Sequence, residues 1–177
     1  STRSYVNSLT VSQLAAIQLT GGDVRQGVES LRPVPDQIAA YLKNYEQMVD
    51  TWKKHFGLPQ KLLFVGRGAS LAAVWTGAMV MKEGAKWAVE GMSAAQFRHG
   101  PLELADSELA LVVFEGSPAT AAFNRSLAVE VQRLGGKVMW ISDREDADLP
   151  TMTIPQGADV ARPIFEILPL QMLSIAL

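Results

Sequence analysis

Three carboxylates and an imidazole crowd the twenty-four residues from Met81 to Leu104: Glu83, Glu90, Glu103 and His99, one of only two histidines in the chain. The surrounding residues are mostly small and apolar, so these polar groups are not placed for bulk solubility. Arg98-His99-Gly100-Pro101 breaks the run. Glycine opens backbone torsions closed to other residues, and proline fixes φ and removes a donor. An imidazole on such a turn is held by the backbone, and a carboxylate paired with it can move protons near neutral pH. His99 and a nearby glutamate are therefore the first candidates for acid–base chemistry. A capped surface turn carrying solvated charges would use the same residues.

The elements that position this stretch follow from periodicity. Tyr5–Leu19 reads as a first helix closed by Gly21-Gly22. Leu31–Pro35 reads as a linker, and Asp36 opens a second helix whose apolar positions recur at three and four to about Phe56. His55 falls in its last turn, where a surface cation would suit the helix dipole. From Lys61 the texture changes. The apolar run 62–65 meets Gly66-Arg67-Gly68-Ala69-Ser70 and then a helix from Ser70 to Glu83, stopped by Gly84. The pattern repeats with 111–114 and a helix over 121–134, and again with 138–141. Thr151–Pro155 reads as an edge-like strand, and Pro163 starts a last helix. Strands apolar on both faces, alternating with helices, predict an α/β fold. It is a three-layer αβα sandwich on a mainly parallel sheet of four to five strands, preceded by two helices. Ligands in such sheets bind beyond the carboxyl ends of the strands. The Gly66–Ser70 turn lies at one of those ends. It lacks the third glycine and the acidic partner of a dinucleotide fingerprint. Its amides and the Ser70 hydroxyl would suit an anion at a helix N-terminus, and a plain strand-to-helix turn would look the same.

Composition narrows the class. The 177 residues are 48% hydrophobic and 19% charged, with 16 basic against 18 acidic residues and a net charge of −2. This fits a globular domain with a sizeable core and argues against a nucleic-acid or anionic-membrane binder. The absence of cysteine removes disulfides and thiol catalysis, and two histidines without clustered carboxylates make a metal site unexpected. No cofactor is expected. No apolar run approaches the ~20 residues of a membrane span. The expectation is a soluble, cytoplasmic protein, with a chain that stops in mid-helix as a fragment does.

The strand-Gly66-Arg67-Gly68 turn, Gly77-Ala78, Lys82-Glu83, Glu90-Gly-Met-Ser-Ala-Ala and Arg98-His99-Gly100-Pro101-Leu102 resemble the sugar isomerase (SIS) family. More closely, the chain is similar to the second SIS domain in the isomerase half of glucosamine-6-phosphate synthase. Ser1-Thr2-Arg3 with Leu9-Thr10 resembles that family's lead-in from a first SIS domain, and Pro163–Gln171 its penultimate helix. The resemblance implies residues 1–57 as a helical segment leading in from a missing first SIS domain, and 58–177 as an SIS domain lacking its C-terminal tail. It implies chemistry on a sugar phosphate without metal or nucleotide. Glu83 would move a proton between C1 and C2 through an enediol-type intermediate, and His99 would assist ring opening across a homodimer interface. Ser1 and Thr2 would line the sugar pocket, and Gly66, Arg67, Gly68 and Ser70 would contact substrate. The chain departs from the family in one place near the site: Val80 stands where a lysine precedes the glutamate. The family's Schiff-base lysine, phosphate loop and glutaminase domain belong to segments outside this sequence. Three functions follow as expectations: an aldose–ketose isomerase or amino-sugar-phosphate deaminase, the isomerase part of a glutamine-dependent synthase, or a sugar-phosphate sensor without turnover.

Overall fold

A computed structural model describes residues 2–177, with side chains from Ser4 onward. Four helices lead into the sheet: α1 (Thr2–Leu19), α2 (Val24–Leu31), α3 (Val34–Leu42) and α4 (Tyr45–Phe56). The five strands are β1 (Lys61–Gly66), β2 (Val89–Ser93), β3 (Leu109–Phe114), β4 (Lys137–Ser142) and β5 (Thr151–Thr153). Between and after them run α5 (Leu71–Val80), α6 (Ala94–Phe97), α7 (Pro118–Arg133) and α8 (Arg162–Ala176). All strand pairs are parallel, in the order β2-β1-β3-β4-β5.

Alternation along the strands builds two cores. Leu62 and Phe64 of β1, with Ala110, Val112 and Phe114 of β3, face a core shared with α4, α5 and α8. Leu63 and Val65, with Leu109, Leu111 and Val113, face the other core, filled by Phe97 of α6 and Leu127, Ala128 and Val131 of α7. Period-2 side-chain direction on strands buried on both faces thus yields the expected αβα layers. The strand 62–65 is interior and paired parallel on both sides, and the middle position belongs to β3.

Several boundaries differ from those expected. The linker 31–35 is a two-residue turn, because Pro33 and Pro35 sit where a helix start tolerates a missing amide. Asp23 accepts from the amides of Arg25 and Gln26 and so caps α2. The expected helix 36–56 is two helices broken at Lys43-Asn44. Trp52 is wholly buried, and its indole N–H donates to Pro169 O at 2.9 Å, tying α4 to α8. His55 is half-buried rather than a surface cation. Its Nε2 lies 2.8 Å from Val138 O of β4, and burial pushes its pKa down, with Lys137 adding to the effect and the Val138 contact opposing it. A helix continuous to Glu83 is also corrected: α5 ends at Val80 and a π-type turn spans Met81–Ala85. β2 has no counterpart in the sequence reading. No helix among the described residues is long and apolar enough to cross a membrane.

Candidate functional site

Two polar regions border α8. The first is a cleft of about 570 Å³ lined by Ser4, Tyr5 and Ser8 of α1, Thr76, Met79 and Val80 of α5, Glu83 and Gly84, and Ile167 and Gln171 of α8. Thr76, Val80 and Glu83 recur at four and three, so one helical face, carried on through the π-type turn, brings them to the same wall. Glu83 is the acidic residue among those lining residues, in a setting otherwise of hydroxyls, amide and apolar side chains. Its turn is unusual. Trp87 N bonds Met81 O at 3.2 Å, and Lys86 closes the turn with a left-handed backbone, φ 58°. Lys86 Nζ donates to Glu83 O at 2.8 Å. π-type turns mark functional positions more often than chance, because they re-aim side chains at a small backbone cost.

The second region sits at the carboxyl ends of β1, β3 and β4. The chain leaves β1 toward β2 and returns on its other side as β3, so the topological switch point falls between β1 and β3. Open α/β sheets bind ligands there. Gly66–Ser70 follows β1, and Gly68 holds φ +59° with open space where a Cβ would stand. Arg67 Nε donates to Asn124 Oδ1 at 3.0 Å, and its guanidinium lies 5.8 Å from the Phe123 ring centre. Asn124 is wholly buried and donates to Phe114 O and Glu115 O, closing the end of β3. Ser70 is only 2% exposed, and its hydroxyl donates to Glu166 Oε1 at 2.9 Å. Glu115 accepts from Ser142 Oγ and Arg144 Nη2, both at 2.9 Å, with Arg162 Nη1 at 3.5 Å. Arg162 also bonds Asp143.

Burial pushes the Glu166 carboxyl up to about 7, against the opposing Ser70 hydrogen bond and Arg162 charge, with Glu115 adding to the rise. Desolvation of the charged form outweighs both favourable contacts. Tyr5, in the wall of the Glu83 cleft, is pushed above its ordinary range by burial and then by the charge of Glu166.

The candidates from sequence divide among three places. Glu83 lines the cleft. Gly66, Arg67, Gly68 and Ser70 form the switch-point turn, with Ser70 committed to an internal bond. His99 is exposed on the turn after α6, its backbone N–H bonded to Gln96 O, and it is not among the residues lining the cleft. Ser1 lies outside the described residues. Thr2 begins α1, and its side chain is likewise outside them. Sequence reasoning missed Ser4, Tyr5, Ser8 and Gln171 as cleft walls, and it missed Glu166. The signal for Glu166 was present: a single charge inside the apolar run Pro163–Leu170.

Known proteins share this fold. The SIS domain model matches residues 59–177. Glutamine–fructose-6-phosphate aminotransferase (isomerizing) of Haemophilus ducreyi is 30% identical over 186 aligned positions, covering 98% of this chain and 30% of that protein. Among solved structures, the C-terminal domain of glucosamine-fructose-6-phosphate aminotransferase from Francisella tularensis superposes with a TM-score of 0.79 at 22% identity, covering 92% of this chain and 48% of that one. Tagatose-6-phosphate ketose/aldose isomerase from Escherichia coli gives 0.71 at 24% identity, covering 82% and 42%. The chain therefore spans about 30% of the length of the aminotransferase it matches and under half of these structures.

Proposed function

The chain belongs to the SIS domain family, and on that premise we propose that it processes a hexose or hexosamine phosphate, by aldose–ketose isomerisation or by deamination through an enediol-type intermediate. The observation that carries this reading is the Glu83 cleft. A carboxylate stands on a backbone-fixed turn, facing a mainly apolar space that carries the hydroxyls of Ser4, Tyr5, Ser8 and Thr76 and is large enough for a sugar phosphate. Glu83 takes the proton from C2 and returns it to C1, and the hydroxyls of Ser4, Ser8 and Thr76 hold the sugar oxygens. Val80, where the family resemblance expects lysine, leaves this wall of the cleft apolar. The Gly66–Ser70 turn stands at the other end of α5, about 20 Å from Glu83, and does not line the Glu83 cleft.

His99 acts on the ring oxygen from a partner subunit, so the working protein is a homodimer, cytoplasmic, with its site shared between chains. Its exposure and its place outside the cleft of its own chain support that division. Residues 1–57 lead in from a further SIS domain, and 58–177 form the domain described. A second reading has this chain as the isomerase part of a glutamine-dependent synthase, and the aminotransferase relatives favour it.

The test is exchange of a C1 proton of fructose 6-phosphate, or of the C2 proton of glucosamine 6-phosphate, with deuterium, followed by NMR in the full-length protein. Glu83→Gln is expected to slow exchange by about 10²–10⁴, the usual contribution of a general base, while binding changes little. Exchange at the parent rate in Glu83→Gln removes Glu83 as the base. A parent that binds the sugar and never exchanges it makes the domain a sensor.

A further inference from the structure

Three helices wall the Glu83 cleft, and they are held to the domain in different ways. α5 and α8 each bury several side chains completely. None of the described side chains of α1 is wholly buried, yet α1 brings Ser4, Tyr5 and Ser8 to the cleft. Tyr5, Val6 and Leu9 pack partly buried against the core. Apolar packing is non-directional, so it fixes the register of such a helix poorly. At the far end of α1 the fit against α2 is close: a Cβ on Gly27 would stand 2.9 Å from Ile17 Cδ1 and 3.0 Å from Leu14 Cδ2. Nearer the cleft two directional bonds hold it. Tyr5 Oη donates to Pro163 O at 3.0 Å, and Gln13 Nε2 donates to Val160 O at 2.9 Å.

The tyrosine bond reaches the part of α8 that forms the cleft. Pro163, Ile167 and Gln171 recur at four, and the last two line the cleft. On α1, Ser4 and Ser8 also stand four apart, so one stripe presents both hydroxyls, with Tyr5 beside it. The bond thus joins two stripes that wall the same space. A carbonyl oxygen has two lone pairs, so Pro163 O can accept from Tyr5 and still serve its helix. Burial holds the Tyr5 phenol above its ordinary pKa, with the charge of Glu166 adding to the effect. The donor therefore keeps its proton through the neutral range.

We propose that Tyr5 is a positioning residue for the reaction at Glu83: its bond to α8 sets the register of α1 and so places the Ser4 and Ser8 hydroxyls on the sugar, with Gln13 as a second anchor. The inference rests on the reading of the cleft as the sugar site. Tyr5 spends its one proton on Pro163 O and has none to donate to the ligand. It supplies geometry instead. Without the tie both serine hydroxyls remain, but their place in the cleft is no longer fixed. They meet the sugar before and during proton transfer alike, so the loss falls on binding and not on the chemical step. Glu83 keeps its own support in the π-type turn, where Trp87 N bonds Met81 O.

The experiment is a double-mutant cycle in the full-length protein. Proton exchange of fructose 6-phosphate and of glucosamine 6-phosphate is followed over a range of sugar concentration, giving KM and kcat, with calorimetric Kd values beside them. Tyr5→Phe keeps the ring, removes only the tie and leaves Pro163 O with its helix partner, so the fold is expected to stand. It is expected to raise KM and Kd about tenfold, the worth of one good hydrogen bond, with kcat within about twofold of the parent. Gln13→Ala, farther from the cleft, is expected to raise them about threefold. Ser4→Ala with Ser8→Ala is expected to cost at least about tenfold in the same two quantities. In that serine-free background Tyr5→Phe is expected to change them by less than about twofold, since the groups it places are gone.

The serine-free background is what separates placement from mere support of the fold or direct contact with the ligand. A second full tenfold loss from Tyr5→Phe there overturns the inference, because Tyr5 would then act without the serines. A Tyr5→Phe variant that binds like the parent overturns it too, as does one that lowers kcat with KM unchanged. If Glu83→Gln slows exchange while Tyr5→Phe has no effect on binding, the inference alone falls and the cleft stands as the site. If Glu83→Gln exchanges at the parent rate, the reading of the cleft falls and takes the inference with it. A parent that binds and does not exchange leaves the cycle to be read from Kd, with the same expected values. A parent that binds neither sugar ends both.

Discussion

Glu83 and Glu115 are both glutamates at the end of a secondary-structure element, and they are held in opposite ways. Glu83 is exposed, in an open cleft, and its place is set by the backbone of a π-type turn. Glu115 is buried at the end of β3, and its place is set by side chains: Ser142, Arg144 and Arg162 converge on its two oxygens. An exposed carboxylate keeps its hydration, so it can exchange water for substrate. A buried one has already exchanged water for protein donors, and it stays bound to them. The domain thus separates a region free to react from a region built to hold strand ends together.

The largest expected effect breaks or sustains that contrast directly. Glu115→Ala leaves Arg162 and Arg144 without their shared carboxylate, and removal of one partner from a buried pair costs about 3–5 kcal/mol. The exposure of Arg144 places the outcome at the lower end of that range. Glu83→Ala, at an exposed position away from any core contact, is expected to change stability by less than about 0.5 kcal/mol. Urea denaturation of both variants checks this. Equal losses would mean that Glu83 is structural, and the cleft would lose its standing as the reactive region.

The two regions also differ in how far the sequence discloses them. β1, β3 and β4 are continuous apolar runs ended by Gly66, Glu115-Gly116 and Ser142, and their shortness and flanking turn residues mark them as strands buried on both faces. β2 is an edge strand in which Val89 alone is buried, so Val89-Glu-Gly-Met-Ser carries no strand pattern. Its pairing comes from β1 and from close approach to α5, where a Cβ on Gly91 would stand 2.9 Å from Val74 O. The break at Lys43-Asn44 was hidden because Tyr41, Leu42, Met48 and Val49 bury the same side across it. The Lys-Glu spacing that marks Glu83 is local and therefore readable. The bonds Ser70–Glu166 and Ser142–Glu115 join residues 96 and 27 positions apart, and no periodicity carries such pairings.

A smaller effect concerns pH. Glu166 has a folded-state pKa raised above its unfolded value, so the folded protein holds a proton that the unfolded chain has released. Its contribution is fully present below the ordinary carboxyl range and is lost as pH rises to about 7, flat thereafter. The loss is on the order of 3 kcal/mol. Glu166→Gln is expected to remove this slope, which urea midpoints measured at steps from pH 4 to pH 8 would show. A slope of the same size in the Gln variant would assign it to other groups and would place Glu166 among the well-compensated carboxylates, beside Glu115.

The smallest effect tests how each region fixes its turn. Gly68 and Lys86 share a left-handed backbone, φ +59° and 58°, one in the switch-point turn and one closing the Glu83 turn. At Gly68 a Cβ meets nothing within 4 Å, so Gly68→Ala carries only the backbone cost of that conformation, about 1 kcal/mol of lost stability. At Lys86 the cost is already present. Lys86→Gly relieves it but also removes the Nζ bond to Glu83 O and loosens the unfolded chain by about 0.5–1 kcal/mol. An exposed lysine-to-carbonyl bond contributes little, since water replaces it readily. The net expectation is a gain of up to about 0.5 kcal/mol, opposite in sign to Gly68→Ala. Paired unfolding curves decide. A loss at Lys86→Gly would show that the Nζ tether outweighs the backbone strain. Glu83 would then be held by a side chain, as Glu115 is, and the two glutamates would differ in exposure but not in how they are placed.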